Sequence, residues 1–335
     1  MSHKRILSVL LGLAIGVILI ALWLRFIDPD ELLARMRGVD VMLVVGASLI
    51  YLSAYFIRSA RWNLLLRRQI GLPLLRTWLY SMGGNWINYL IPIRLGEVVK
   101  AWFVKRNHGL PMLNVLPSIF IDKTFDTLGI LFVLVMLPLL GLRLSTGISV
   151  LLSLLGLVFL VSLAVIVLSA RRKSGVVRIL QSLFAWLPQR ARNRINGYIE
   201  LFIQGLNIFE HHWTQLIYAV LLTALGIGLD GLYFWLIFRA FGIGYPFIKV
   251  LFGYTLINLS YALPQPPAQL GSNEWMMIII FSIGFALTRQ DASAIMAFAH
   301  VLTAILIGSL GLLAIILSGR QILKDIFHGD KIYEQ

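Results

Sequence analysis

The chain has 335 residues, of which 59% are hydrophobic and 13% charged, against about a quarter charged in an ordinary soluble domain. A water-soluble fold of this length could not hide so much apolar surface, so two soluble domains are excluded and the solvent is lipid. Lys and Arg number 29 against 15 acids, a formal charge of +14, and because no basic domain stands apart from the apolar runs, the surplus argues for anionic lipid at a cytoplasmic face and against nucleic acid.

Ile6–Leu24 opens the chain with nineteen uncharged residues, about 28 Å as a helix and enough to cross the hydrocarbon. It is too long for a signal peptide and no A-x-A cleavage site follows it. After the acidic stretch Asp28-Pro29-Asp30-Glu31, a second span is expected at Val41–Ile57. Thr77–Ile93 is uncharged but contains Gly83, Gly84, Asn85, Asn88 and Pro92. Spans are then expected at Leu113–Leu142, Leu144–Ala170 and Trp213–Phe238, with an amphipathic cytoplasmic segment over 171–212 whose basic and apolar residues alternate as in helices lying on an anionic leaflet. Val250–Leu287 splits into two short arms around Gln265–Glu274, and Ala292–Gly319 is the last span. Each arm falls short of the roughly 20 residues a crossing needs. Short arms broken by Pro and Gly predict re-entrant helix pairs, at about 77–105 and 250–287. The expected fold is an all-α polytopic membrane protein with six transmembrane helices plus two re-entrant helix pairs.

If both pairs enter and leave on one side, 21 basic residues share the side of the termini and 7 face the other, with Lys123 inside a span. If Thr77–Ile93 crossed instead, the Arg171–Arg194 stretch would move opposite Arg58–Arg76 and the bias would largely collapse. Both termini are therefore placed in the cytoplasm and the protein in the cell membrane. The same order of elements repeats with opposite hand, 1–143 from the cytoplasm and 144–335 from outside, an inverted repeat. Its turns carry Asn88, Pro92, Leu95, Gly96, Glu97 and Asn258, Pro264, Leu270, Gly271, Glu274. Interrupted segments at matching positions of two inverted halves point to a transporter's binding site; two unrelated kinks in a bundle are the structural alternative.

Arg58-x-x-Arg61-Trp62-x-x-Leu65-Leu66, Gly84-Asn85-x-x-Asn88-x-x-x-Pro92-x-Arg94-x-Gly96-Glu97-x-x-Lys100-Ala101 and Asp122-Lys123-x-x-Asp126 resemble the flippase-like transmembrane family. That family includes the membrane half of the lysylphosphatidylglycerol synthases. Leu263-Pro264…Leu270-Gly271-x-x-Glu274 is similar to its second signature. Two departures stand out: Asp122-Lys123 replaces a Glu-Arg pair, which weakens bidentate phosphate contact there, and Gln265-Pro266-Pro267 replaces a Gly-richer loop. The resemblance implies lipid translocation, or the membrane partner of a lipid-modifying system. The chain ends soon after its last span, so a stand-alone member without the aminoacyl transferase is expected.

Ionisable groups at membrane depth are functional candidates by default. Glu97 and Glu274 sit at the two turns, where helix N-termini favour a lipid phosphate; each could instead serve as a helix-end charge. Arg94, three residues before Glu97, suits phosphate bidentately or pairs with Glu97. Asn85, Asn88, Lys100 and Asn258 complete the expected substrate-binding set at the turns, with Arg58 and Arg61 either recruiting headgroups or anchoring a helix end at the interface. Asp122 and Asp126 share a helix face with Lys123 within pairing distance of Asp126, so the three are either a proton or charge-coupling site or a self-neutralising cluster. Asp230, alone in its span, is a candidate proton or cation site or a partner for Lys123. His300 is read as a satisfied core hydrogen bond rather than a ligand.

No cysteine is present, which excludes disulfides, thiolate nucleophiles and Cys-ligated metal. No metal or cofactor is expected. The function read from the sequence is a transporter moving a phosphate-containing lipid (phospholipid, aminoacyl-phospholipid or polyprenyl-phosphate-linked sugar) between leaflets. The alternatives are a lipid-modifying enzyme of glycosyltransferase type, suggested by Asp28-Pro29-Asp30-Glu31, and a non-transporting partner of such an enzyme.

Overall fold

In the computed structural model, the described residues are 3–91, 95–136, 188–206, 213–261 and 265–318, with scattered positions between 150 and 184. The expected span Leu144–Ala170 and most of the basic stretch after it fall largely outside them. Every regular element among the described residues is helical, and the protein is an all-α membrane protein.

Helix α1 (His3–Leu24) turns by 88° into α2 (Pro29–Arg37). The turn is written locally: the Asp28 carboxylate accepts from the backbone N–H of Asp30 (2.9 Å) and Glu31 (3.3 Å), and Pro29 supplies a preset first residue. Asp40 caps α3 (Val41–Leu66) in the same way, through Met42 and Leu43. The first interrupted stretch folds as α4 (Leu74–Leu90) and α5 (Gly96–His108), followed by α6 (Met112–Met136) and α7 (Gln189–Leu206). The chain continues as α8 (Trp213–Ala240), α9 (Phe247–Ser260), α10 (Ser272–Met277, prolonged as a π-turn over Ile278–Ile283) and α11 (Arg289–Ser318). Three of these, α3, α8 and α11, are long and apolar enough to cross a membrane, and the bent α1–α2 pair makes a fourth only if it is counted as one span. The two arms of 247–283 are too short to cross, as the sequence predicts. Helix α3 runs nine residues past its expected end at Ile57, because the arginines that would stop a span are neutralised inside the protein, as described below.

The chain divides into two compact units. The first comprises 1–56, 78–103 and 228–335; the second comprises 57–77 and 104–227. In the first unit a core of Tyr51, Tyr233, Phe234, Phe238, Ile257, Met277, Phe281 and Ile295 is almost fully buried. Helix α11 is its spine. Thr288 and Asp291 cap it reciprocally, Arg35 of α2 pairs with Asp291, and Trp23 of α1 donates to Ser293 Oγ at 3.0 Å. In the second unit Trp62 donates to Ser118 Oγ at 3.2 Å, Phe120 stacks on Tyr198, and Gly129 lets α6 approach Thr223 and Ile227 of α8.

The arms of the first hairpin touch backbone to backbone. A side chain on Gly84 would lie 2.7 Å from the Gly96 carbonyl, and one on Gly96 would overlap the Gly84 carbonyl. Gly96→Ala is accordingly expected to cost about 1–3 kcal/mol through forced separation of the arms, read as a lower melting temperature of the detergent-solubilised protein. Gly46→Ala, inside α3 where a Cβ would meet nothing within 4 Å, is the control expected to leave it unchanged or slightly raised, as alanine is the better helix former.

Candidate functional site

Both interrupted stretches belong to the first unit. In the first hairpin, Asn88 closes the turn from both sides. Its carbonyl accepts from Gly96 N–H at 2.6 Å, and its amide donates to the two Glu97 oxygens at 3.2 and 3.1 Å. Lys100, one turn further along α5, is 4% exposed, and its methylenes lie against Gly84. The Asn-x-x-x-Pro-x-Arg-x-Gly-Glu pattern is thus a hairpin lock as well as a set of polar groups. Asn85 and Asn258 are half-buried on α4 and α9. Pro92, Arg94 and Pro264 lie outside the described residues.

The second hairpin is tied at its tip. Ala268 and Gln269 hold positive φ of 53° and 57°, and Gly271 follows at 76°, a left-handed run that costs non-glycine residues energy and tends to mark functional turns. The tip leans on α1, with Gly16 beneath Pro266 and Leu270, while Trp275 donates to the Leu19 carbonyl at 3.0 Å. His300 Nε2 lies 2.7 Å from the Ala268 carbonyl, and its Nδ1 lies 2.7 Å from Glu274 Oε1. Glu274 is 3% exposed and His300 7%. The second Glu274 oxygen and the Asn273 side-chain carbonyl are buried without a hydrogen-bond partner.

The two hairpins approach α11 from opposite ends. Gly83 faces Ala314, Trp86 packs on Gly311, and Tyr89 presents its ring edge-to-face to His300 at 6.1 Å, so α4 runs from the C-terminal end of α11 toward its middle. The second hairpin starts at the other end. Tyr245 donates to the Phe285 carbonyl just before α11 begins, and the tip reaches His300. His300 is eleven residues into α11, about 17 Å from its start. Phenols crowd this point: Tyr261 and Tyr89 interact electrostatically with Glu274, and Tyr51, Tyr55, Tyr233 and Tyr254 continue the cluster toward Asp230.

The remaining expected residues gather in the second unit. Arg61 does not anchor an interface. It is fully buried and engages Asp122 Oδ1 (2.7 Å), the Asp122 carbonyl (3.1 Å), Asp126 Oδ1 (2.7 Å) and Thr223 Oγ1 (2.8 Å). Arg58 and Lys123 reach the same Asp126 at 3.7 and 3.8 Å. Two carboxylates and three cations therefore form one network, and Lys123 pairs with Asp126 as its spacing predicts. Asp230, 6% exposed, belongs to the first unit beside Tyr233 and Tyr254. The acids of Asp28-Pro29-Asp30-Glu31 have structural work as well, since Asp28 caps α2 and Glu31 pairs with Arg35.

Tyr89, Tyr261 and the Ala268 carbonyl are members of the site that sequence reasoning missed, whereas His300, read as a satisfied core hydrogen bond, makes two of them. A lone histidine and a helical stripe of tyrosines carry no local signal. The one available cue was that Glu274 lacks any basic residue nearby in sequence to neutralise it.

The model of the lysylphosphatidylglycerol synthase TM region matches residues 9–311. Glycosyltransferase AglD of Haloferax volcanii is 25% identical over 88% of this chain, but the chain spans only 52% of that relative's length. A UPF0104 membrane protein of Methanothermobacter thermautotrophicus is 22% identical, covering 88% of this chain and 90% of its own. Another from Methanocaldococcus jannaschii is 23% identical, covering 93% and 95%. No solved structure matches.

Proposed function

The chain belongs to the lysylphosphatidylglycerol synthase transmembrane-region family, and from that premise we propose that this multi-pass membrane protein carries a phosphate-containing lipid between leaflets by alternating access at its two hairpin turns. The observation that carries the reading is the meeting of the hairpins at Tyr89, His300 and Glu274 from opposite ends of α11. An arrangement of this kind can open toward one end by moving one hairpin while the other keeps the far side shut. The headgroup is held by the polar set at the turns: Asn85, Asn88, Arg94, Glu97 and Lys100 from the first hairpin, Asn258 and Glu274 from the second. Lys100 and Arg94 supply the positive charge a phosphodiester needs. Arg58, Arg61, Asp122, Lys123 and Asp126 hold the second unit together instead, because the two carboxylates already engage all three cations and leave a single positive charge over. An inverted repeat of 1–143 and 144–335 would suit a rocking motion, and the basic excess of the sequence supports a cytoplasmic side for both termini.

The relative named a glycosyltransferase favours a second reading, an enzyme or its membrane partner. Purified protein in liposomes separates the three. Leaflet exchange of a fluorescent phospholipid without covalent change is the expected result, and Lys100→Ala should lower its rate about tenfold, as a lost charge-assisted contact of roughly 1.5 kcal/mol does. A new lipid product would establish the enzyme, and neither exchange nor product would leave the partner role.

A further inference from the structure

We infer that Glu274 and His300 share one bound proton where the two hairpins meet, and that this proton is the coupling ion of the transport cycle. The second half of the inference rests on the carrier reading; the first stands on geometry alone. A backbone carbonyl only accepts hydrogen bonds, so the His300 Nε2 at 2.7 Å from Ala268 O carries a hydrogen. With that hydrogen on Nε2, a neutral ring presents Nδ1 as a lone pair. A carboxylate also presents only lone pairs, and two acceptors do not rest 2.7 Å apart. A proton therefore lies between Nδ1 and Oε1. Whether it is drawn as imidazolium–carboxylate or imidazole–carboxylic acid, the dyad is neutral while it holds that proton.

Losing it leaves a buried carboxylate facing a lone pair, with the other Glu274 oxygen already unpartnered. Such a charge in a dry site is costly, and the dyad relieves it by opening. Opening releases three attachments together. Ala268 loses the bond that holds its left-handed tip, Glu274 is freed from α11, and Tyr89 of the first hairpin loses its ring partner. Among the described residues, the titratable side chains facing the dyad from neighbouring elements are Tyr89 on α4, Tyr261 at the end of α9 and, behind it, Tyr55 on α3. All are phenols and neutral near pH 7, so the proton exchanged is the dyad's own. An anionic headgroup arriving beside the dyad favours the protonated form. Lipid and proton thus bind together, and one proton with one phosphodiester moves no net charge.

The protein labelled with 15N-histidine, in phosphatidylethanolamine–phosphatidylglycerol vesicles, tests both halves. The His300 signals are identified among six histidines by their loss in His300→Gln. Solid-state NMR is expected to show Nε2 protonated throughout, and a strongly hydrogen-bonded Nδ1 proton whose titration midpoint shifts by about one pH unit or more in Glu274→Gln. A midpoint unmoved by Glu274→Gln, or an Nδ1 proton that never appears in the unsubstituted protein, overturns the shared proton whether or not lipid moves. Near-isosteric Glu274→Gln is the primary variant, and the titration of the unsubstituted protein needs no variant at all. In the same vesicles an imposed pH gradient should accelerate lipid exchange severalfold, and Glu274→Gln should abolish that acceleration. Exchange indifferent to the gradient while the NMR signature is present overturns the coupling and leaves the carrier standing. Absence of any exchange in the unsubstituted protein overturns the carrier, with the NMR result alone deciding the proton site.

Discussion

Arg61→Ala is expected to destabilise the protein by about 3–5 kcal/mol, the cost of stranding a buried carboxylate after its partner is removed. The loss is concentrated at Asp122, which is 5% exposed, while Asp126 keeps Arg58 and Lys123 within 4 Å. Arg61→Lys should recover little of it, because one ammonium cannot span Asp122, Asp126 and Thr223 at once as the guanidinium fork does. The paired variant Arg61→Met with Asp122→Leu is expected to sit closer to the unsubstituted protein than Arg61→Ala alone, since it removes charge and counter-charge together. Thermal unfolding in detergent measures all three. An Arg61→Ala protein with an unchanged melting temperature and no lipid exchange would instead make Arg61 a headgroup ligand and overturn the structural role given to the network.

That network also marks where the sequence stops being legible. A hydropathy window ends the second span at Arg58, because it cannot know that Asp122 and Asp126, some sixty residues away, will neutralise the arginines and let α3 continue to Leu66. The hairpins were readable for the opposite reason. Their causes are local: Gly-Gly and Asn in α4, Gly-Glu opening α5, and apolar arms too short to cross. Capping at Asp28 and Asp40 is local too. The site was only half visible. Glu97, Asn88 and Glu274 stood out as polar residues at breaks, whereas His300 acquires its meaning from a carboxylate 26 residues earlier and a carbonyl 32 residues earlier. The left-handed Ala268 and Gln269 are residue types that give no warning of that conformation.

Locking the tip of the second hairpin should stop transport without unfolding the protein. A Cβ built on Gly16 lies 3.4 Å from the Leu270 Cβ, just below the roughly 3.5–4.5 Å that a disulfide spans, so Gly16→Cys with Leu270→Cys is expected to cross-link α1 to the tip on oxidation. The natural chain has no cysteine, so an effect of oxidant that a thiol reductant reverses reports the introduced cysteines. If alternating access requires the tip to leave α1, oxidation lowers lipid exchange by about tenfold or more, because the far-side-open state loses its population, and reductant restores it. The melting temperature should rise over the same step, since the bond constrains the unfolded chain. The opposite signs of the two changes are what make the experiment informative: damage to the fold would lower both. Exchange that continues at full rate with the tip tied would mean that the second hairpin is a fixed wall, and that the first hairpin, pivoting on α11 at Gly311 and Ala314, carries all of the motion.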